Sequence, residues 1–185
     1  MLCVWYPDWP LRRPDALPDR PCQAVGDDNR VMAVNALAAG SGIEIGMRRR
    51  EAEAVCPVVV TVVADPGADA TRFEPVVAAV ESLIPRVEVM APGLAFAPVT
   101  GAIRYFGSEA TLVAAVAEAL SSHTGRGYRL GLAAGPFAAR RAADLATAEE
   151  PVFVVTDDAE FRATLDITSL GKEELAATFR WLGIT

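Results

Sequence analysis

Few side chains in this 185-residue sequence have the type and spacing to do chemistry. Asp8 stands at the end of the first apolar run, Glu88 and Asp144 are isolated carboxylates, and His123 is the sole histidine. Metal-assisted phosphoryl transfer or hydrolysis needs two or more carboxylates converging on one point, and acid–base chemistry needs a base within hydrogen-bond reach of its proton. No such pairing stands out at helical or strand spacing. Asp8 is read as the cap of a turn or short helix, with metal binding second. His123, after Ser121-Ser122 and before Thr124-Gly125, is read as a last-turn residue on a helix dipole rather than a base. Arg48-Arg49-Arg50 is the one local basic cluster, read as a solvated helix face balanced by Glu51 and Glu53, with phosphate contact second. Most telling is a silence. Between Glu88 and Glu109 there is no Asp, Glu, His or Cys.

Composition narrows the classes. A hydrophobic fraction of 52% with 22% charged residues is that of a globular domain with a sizeable core. A net charge of -7 opposes strong binding of a nucleic acid by this stretch alone, so weak or no DNA binding is expected and protein partners are favoured. Cys3, Cys22 and Cys56 are odd in number and lack C-x-x-C spacing, so they read as small buried apolar residues rather than a disulfide or zinc framework. No leader segment is evident, and no apolar run reaches the ~18 residues of a membrane span, which predicts a cytoplasmic protein. Basic charge rests on Arg, Lys172 being the only lysine, a bias that suits a GC-rich bacterial genome.

The elements that must position any site follow from periodicity. Met1–Tyr6 reads as a buried strand stopped by Pro7, and Cys22–Val25 with Arg30–Val34 as a hairpin around Gly26-Asp27-Asp28-Asn29. Met47–Val55 reads as a helix, Val58–Val63 as a strand and Asp65–Ala70 as a loop. Apolar residues at Phe73, Val76, Val77, Val80, Leu83 and Ile84 have helix spacing. Arg86–Gly107 reads as a central hairpin turning at Thr100-Gly101, with Ile103, Tyr105 and Phe106 on its second strand. A helix from Ser108 to about Ser122, a strand at Tyr128–Ala133, a helix at Phe137–Ala146 and a strand at Val152–Val155 follow. Leu170–Leu182 reads as a separate helix, as though the chain stopped inside a longer protein. With residues 11–75 set aside as an insertion, the order is an α+β plan of the split βαβ kind, a mostly antiparallel sheet with helices on one face.

The central stretch Ala91-Pro92-Gly93-Leu94-Ala95-Phe96-Ala97-Pro98-Val99-Thr100-Gly101 resembles a signature of the Y-family (translesion) DNA polymerases, S-I-D-E-A-Y-L-D-V-T-G. The family's metal-binding Asp and Glu fall on Gly93 and Leu94. A first signature, V-D-M-D-A-F, aligns to Val4-Trp5-Tyr6-Pro7-Asp8-Trp9 and puts its two Asp on Trp5 and Pro7. The fingers signature V-V-A-T-A-S-Y-E-A-R-x-x-G-V-x-x-x-M resembles Val31–Ile43 with Met47, and the places of its triphosphate-contacting Tyr and Arg hold Ala36 and Ala39. The signature G-I-A-x-N-K-x-L-A-K-x-A-S-D-x-A resembles Gly131–Ala146, with its phosphate-contacting Lys on Pro136. The resemblance spans nearly the whole chain.

What it implies is a polymerase-like palm (1–10 and 76–165), inserted fingers (11–75) and the start of a thumb (166–185). Trp5, Pro7, Gly93 and Leu94 cannot ligate magnesium, and Ala36, Ala39 and Pro136 leave a triphosphate uncompensated. No catalytic residue, metal or cofactor is expected, and Trp5 is expected to fill the emptied site by packing on Leu94 and Pro7. The pattern is similar to that of the ImuB-type members, catalytically silent relatives in bacterial damage-induced mutagenesis. By resemblance, their partners are an ImuA-type RecA-like protein, an error-prone C-family DNA polymerase and the sliding clamp. The competing readings are a working translesion polymerase with shifted ligands, Asp8 and Glu88, and an unrelated α+β enzyme with Asp144 or His123 in a pocket.

Overall fold

The computed structural model describes residues 1–14, 17–171, 178–179 and 181–182. In chain order the elements are β1 (Leu2–Trp5), β2 (Cys22–Val25), β3 (Val31–Val34), α1 (Ala36–Gly40), α2 (Arg49–Val55), β4 (Val60–Val63) and α3 (Pro66–Glu81). There follow β5 (Glu88–Ala91), β6 (Leu94–Ala97), α4 (Thr100–Phe106), α5 (Glu109–Thr124), β7 (Arg129–Leu132), α6 (Pro136–Leu145), β8 (Val152–Val154) and α7 (Asp158–Ala163). The helix expected at Leu170–Leu182 lies largely outside the described residues.

A five-stranded sheet in the order β5-β6-β1-β7-β8 carries the frame. β1 sits at its centre, antiparallel to β6 and β7, and only the β7–β8 pair is parallel. The α+β class and the split βαβ order are therefore those expected. Strand alternation sends successive β1 side chains to opposite faces. Leu2, Val4 and the following Tyr6 join Phe73, Val76 and Val80 of α3 and Leu112, Val116 and Leu120 of α5 in the largest core cluster. Full burial of each aliphatic or aromatic side chain there contributes about 1.5–3 kcal/mol. Cys3, with Met1 and Trp5 beside it, turns the other way, onto Ala138, Ala139 and Ala143 of α6. The expectation of helices on one face holds for α3 and α5 and is corrected for α6, which covers the opposite face. It does so at backbone range: a Cβ on Gly131 of β7 would lie 2.0 Å from the Ala139 carbonyl oxygen. Only glycine in the strand and alanines on the helix permit that approach.

Three local expectations are corrected. The hairpin turns at Pro92-Gly93, between β5 and β6, rather than at Thr100-Gly101. Pro followed by Gly at positive φ (+88°) is the pair that a type II turn selects. Ile103, Tyr105 and Phe106 belong to the helix α4, because Val99, Ala102, Ile103 and Phe106 repeat at i, i+3, i+4 and i+7 and so line one helical face against the core. Asp65–Ala70, expected as a loop, opens α3. The Asp65 carboxylate accepts from the Gly67 and Ala68 amides (3.1 and 3.0 Å), and Pro66 takes the first helical position, where its missing N–H costs nothing.

Residues 22–63 build a second, three-stranded sheet, β3-β2-β4, in which β2 is antiparallel to β3 and parallel to β4. Val25, Val31, Ala38, Ile43 and Ala52 pack on one side of it, and Leu11, Cys22, Ala24 and Ala33 on the other. Asn35 ties its ends together: its side-chain oxygen caps α1 at the Ala38 amide (2.9 Å) and accepts from the Cys22 amide (3.0 Å).

Candidate functional site

Trp5 ends β1, directly between Leu94 of β6 and Arg129 of β7. Its side chain turns to the α6 side and is half-buried with Leu94 and Phe96. The Arg140 guanidinium of α6 lies 3.6 Å from the centre of the Trp5 ring, and that of Arg129 lies 5.3 Å away. Such stacking stabilises by about 0.5–1 kcal/mol at exposed sites and about 2 when desolvated. Arg140 is also ion-paired with Asp144 one turn on, and Arg141 reaches the same carboxylate at 2.9 Å. The Trp5 site is thus filled by an aromatic ring with a cation on its face. Packing on Leu94 is as expected; Pro7 is not part of the cluster, and the arginine is.

Gly93 is the second fixed point. It is buried at φ +88°, and its carbonyl accepts from the Tyr6 amide at 2.8 Å, holding the hairpin turn against the end of β1. A Cβ at this position would stand 2.5 Å from the Cβ of Trp9, 2.9 Å from its Cγ and 3.2 Å from the Tyr6 carbonyl oxygen. Trp9 cannot easily yield. Its indole N–H donates to the Asp69 carbonyl of α3 (3.0 Å), and its ring packs edge-on against Tyr6 and Phe73 at 5.1 and 4.9 Å between centroids. An aspartate at position 93 would meet both a left-handed backbone and a wall of indole.

The remaining positions are dispersed. Ala36 opens α1 and Ala39 is one turn along it, both exposed, while Pro136 takes the first turn of α6. Asp8 and Ala36 share a cleft of about 760 Å³ between the end of β1 and the second sheet, lined also by Leu11, Leu37, Val60 and Val62. Asp8 is not a cap. Its carboxylate accepts from Arg12 Nε at 2.8 Å, an i, i+4 pair. Glu88 stands in the strand row Glu88–Phe96–Cys3–Gly131, whereas Asp8 lies beyond the other end of β1, so the two do not meet. His123 is exposed on the last turn of α5, its Nδ1 2.8 Å from the Ala119 carbonyl. Asp144 is engaged by the two arginines. The Arg48–Arg50 run borders an open groove with Arg30, and Arg49 is paired with Glu53 at 2.7 Å.

Among the described residues no group of three or more His, Cys, Asp or Glu is placed to hold a metal ion, and no helix is long and apolar enough to cross a membrane. The magnesium ions that a polymerase fold implies do not fit this donor set: Trp5, Pro7, Gly93 and Leu94 offer no side-chain oxygen, and Gly93 has no room for one. Sequence reasoning missed Arg140 and Trp9. Counted along the signature at Gly131–Ala146, its second lysine falls on Arg140, which was the available signal.

A family model described as the impB/mucB/samB family matches residues 9–144. The fold is similar to the crystal structure of DinB from Sulfolobus solfataricus, at 18% identity and a TM-score of 0.80 over 100% of this chain and 57% of that one. It is also similar to the insertion ternary complex of Dbh DNA polymerase, at 18% identity and a TM-score of 0.84 over 100% of this chain and 58% of that one. A Y-family DNA polymerase chimera of Dbh and Dpo4 matches at 16% identity and a TM-score of 0.79. This chain thus spans under three fifths of the solved polymerases it resembles. No curated protein matches it significantly. With the family match covering well over half of the sequence, the chain belongs to the impB/mucB/samB family.

Proposed function

We propose that this chain is a catalytically silent, ImuB-type polymerase-like domain, an adaptor in bacterial DNA-damage tolerance rather than an enzyme. In this reading residues 1–10 and 76–165 are the palm, 11–75 the fingers and 166–185 the start of the thumb. Support comes first from Gly93. A carboxylate at its position in the family signature would overlap Trp9, so the loss is built into the packing and is not one substitution away from repair. The stacked Trp5–Arg140 pair supports the same reading, because a cation suited to phosphate is held on an indole face instead. Its partners, by resemblance, are an ImuA-type RecA-like protein, an error-prone C-family polymerase and the sliding clamp, and its setting is the cytoplasm. Primer extension by the purified chain with magnesium or manganese tests the reading. No added nucleotide is expected, and any metal-dependent extension overturns it.

A further inference from the structure

β5 is an edge strand, and all four of its residues are exposed, with Val89 and Met90 at 48% and 59%. Beside it runs a groove of about 370 Å³ bounded by Phe73 and Val77 of α3, Val89 of β5 and Pro92 of the turn. Glu74 and Glu81, two turns apart on α3, line the same groove, and Glu88 begins the strand. None of the three glutamates makes an ion pair among the described residues. An edge strand offers unpaired N–H and C=O groups, and apolar side chains next to it would bind alternate residues of an incoming strand. Acidic groups with no cation of their own select the charge of that strand.

We propose that this groove and the β5 edge receive a basic peptide segment, lysine or arginine alternating with apolar residues, as an added strand. The occupant is a partner and not a second copy of this chain, because a second β5, Glu88–Ala91, carries no lysine or arginine to meet Glu74 and Glu81 and would add a further glutamate. The inference does not depend on whether the domain is catalytic.

A random twelve-residue peptide library panned over the purified chain, and over the Glu74→Lys/Glu81→Lys variant in parallel, tests it. The expected result is enrichment of alternating basic and apolar peptides on the native chain, lost on the variant, with amides of residues 88–91 protected from hydrogen exchange by a selected peptide. N-methylation of alternate amides in that peptide should weaken binding at least tenfold, since it removes strand pairing and keeps charge. Absence of enrichment, equal enrichment on the charge-reversed variant, full affinity after N-methylation, or self-association of the chain through residues 88–91 would each overturn the proposal.

Discussion

Gly93 and Trp9 are in contact so close that a single methyl carbon on the glycine would come within 2.5 Å of the tryptophan Cβ. The relationship links the hairpin turn, the end of β1 and α3, since Trp9 is itself hydrogen-bonded to α3. In the proposed reading it makes the silence of the site a matter of packing rather than of missing groups alone.

Gly93→Ala is expected to destabilise the fold by about 2–4 kcal/mol, the sum of a left-handed non-glycine residue and overlap with a buried ring. For a chain of this size each kcal/mol lowers the thermal midpoint by about 2–4 °C. Calorimetry checks it; a midpoint within 2 °C of the native chain would mean that the turn relaxes and the contact constrains nothing.

The Trp5–Arg140 stack should appear as a coupling of about 0.5–2 kcal/mol in a double-mutant cycle of Trp5→Ala and Arg140→Ala, measured by urea unfolding. Additive effects would show the 3.6 Å stack to be energetically idle.

Restoring the signature with Trp5→Asp, Gly93→Asp and Leu94→Glu should cost several kcal/mol and return no primer extension. It removes the aromatic anchor, forces a side chain onto Trp9 and clusters three carboxylates, while Ala36, Ala39 and Pro136 still supply no cation. A folded, extending triple mutant would contradict both halves.

Alkaline pH should unfold the protein. Burial pushes the Cys3 thiol up to about 12 from its ordinary value of 9.0, and burial likewise pushes Tyr6 up to about 12 from 10.0. Both groups are held neutral in the fold, so their contribution is whole below the unfolded values and is lost as pH rises from about 9 towards 12. Each unit is worth about 1.4 kcal/mol, so urea unfolding at pH 8 and pH 11 should differ by several kcal/mol. Cys3→Ala should flatten that dependence in part, with Tyr6 carrying the rest; an identical slope in the variant would contradict the Cys3 assignment.

The order of strands and helices was legible because β1, β7 and the helices α3 and α5 have clean apolar periods. The hairpin boundary was not. Ile103, Tyr105 and Phe106 were read by their β-forming types, while the helical repeat beginning at Val99 spans the apparent break at Thr100-Gly101. The start of α3 was hidden because Asp-Pro-Gly reads equally as a loop and as a cap followed by a first-turn proline. Of the site, the lost carboxylates were readable by resemblance; the Arg140 stack and the Trp9 wall were not, since both depend on which side chains the sheet brings together across more than 80 residues of sequence. The α6 face was missed because its buried stripe, Ala138, Ala139, Ala142 and Ala143, is made of alanines, and Gly131 opposite it marks close backbone approach without a large apolar side chain.

The most direct test is a titration of the purified chain with a labelled deoxynucleoside triphosphate, with and without magnesium. The account predicts no magnesium-dependent binding up to millimolar nucleotide, because no side-chain oxygen stands at Trp5, Pro7, Gly93 or Leu94 to hold the ion. Saturable micromolar binding that requires magnesium would contradict it.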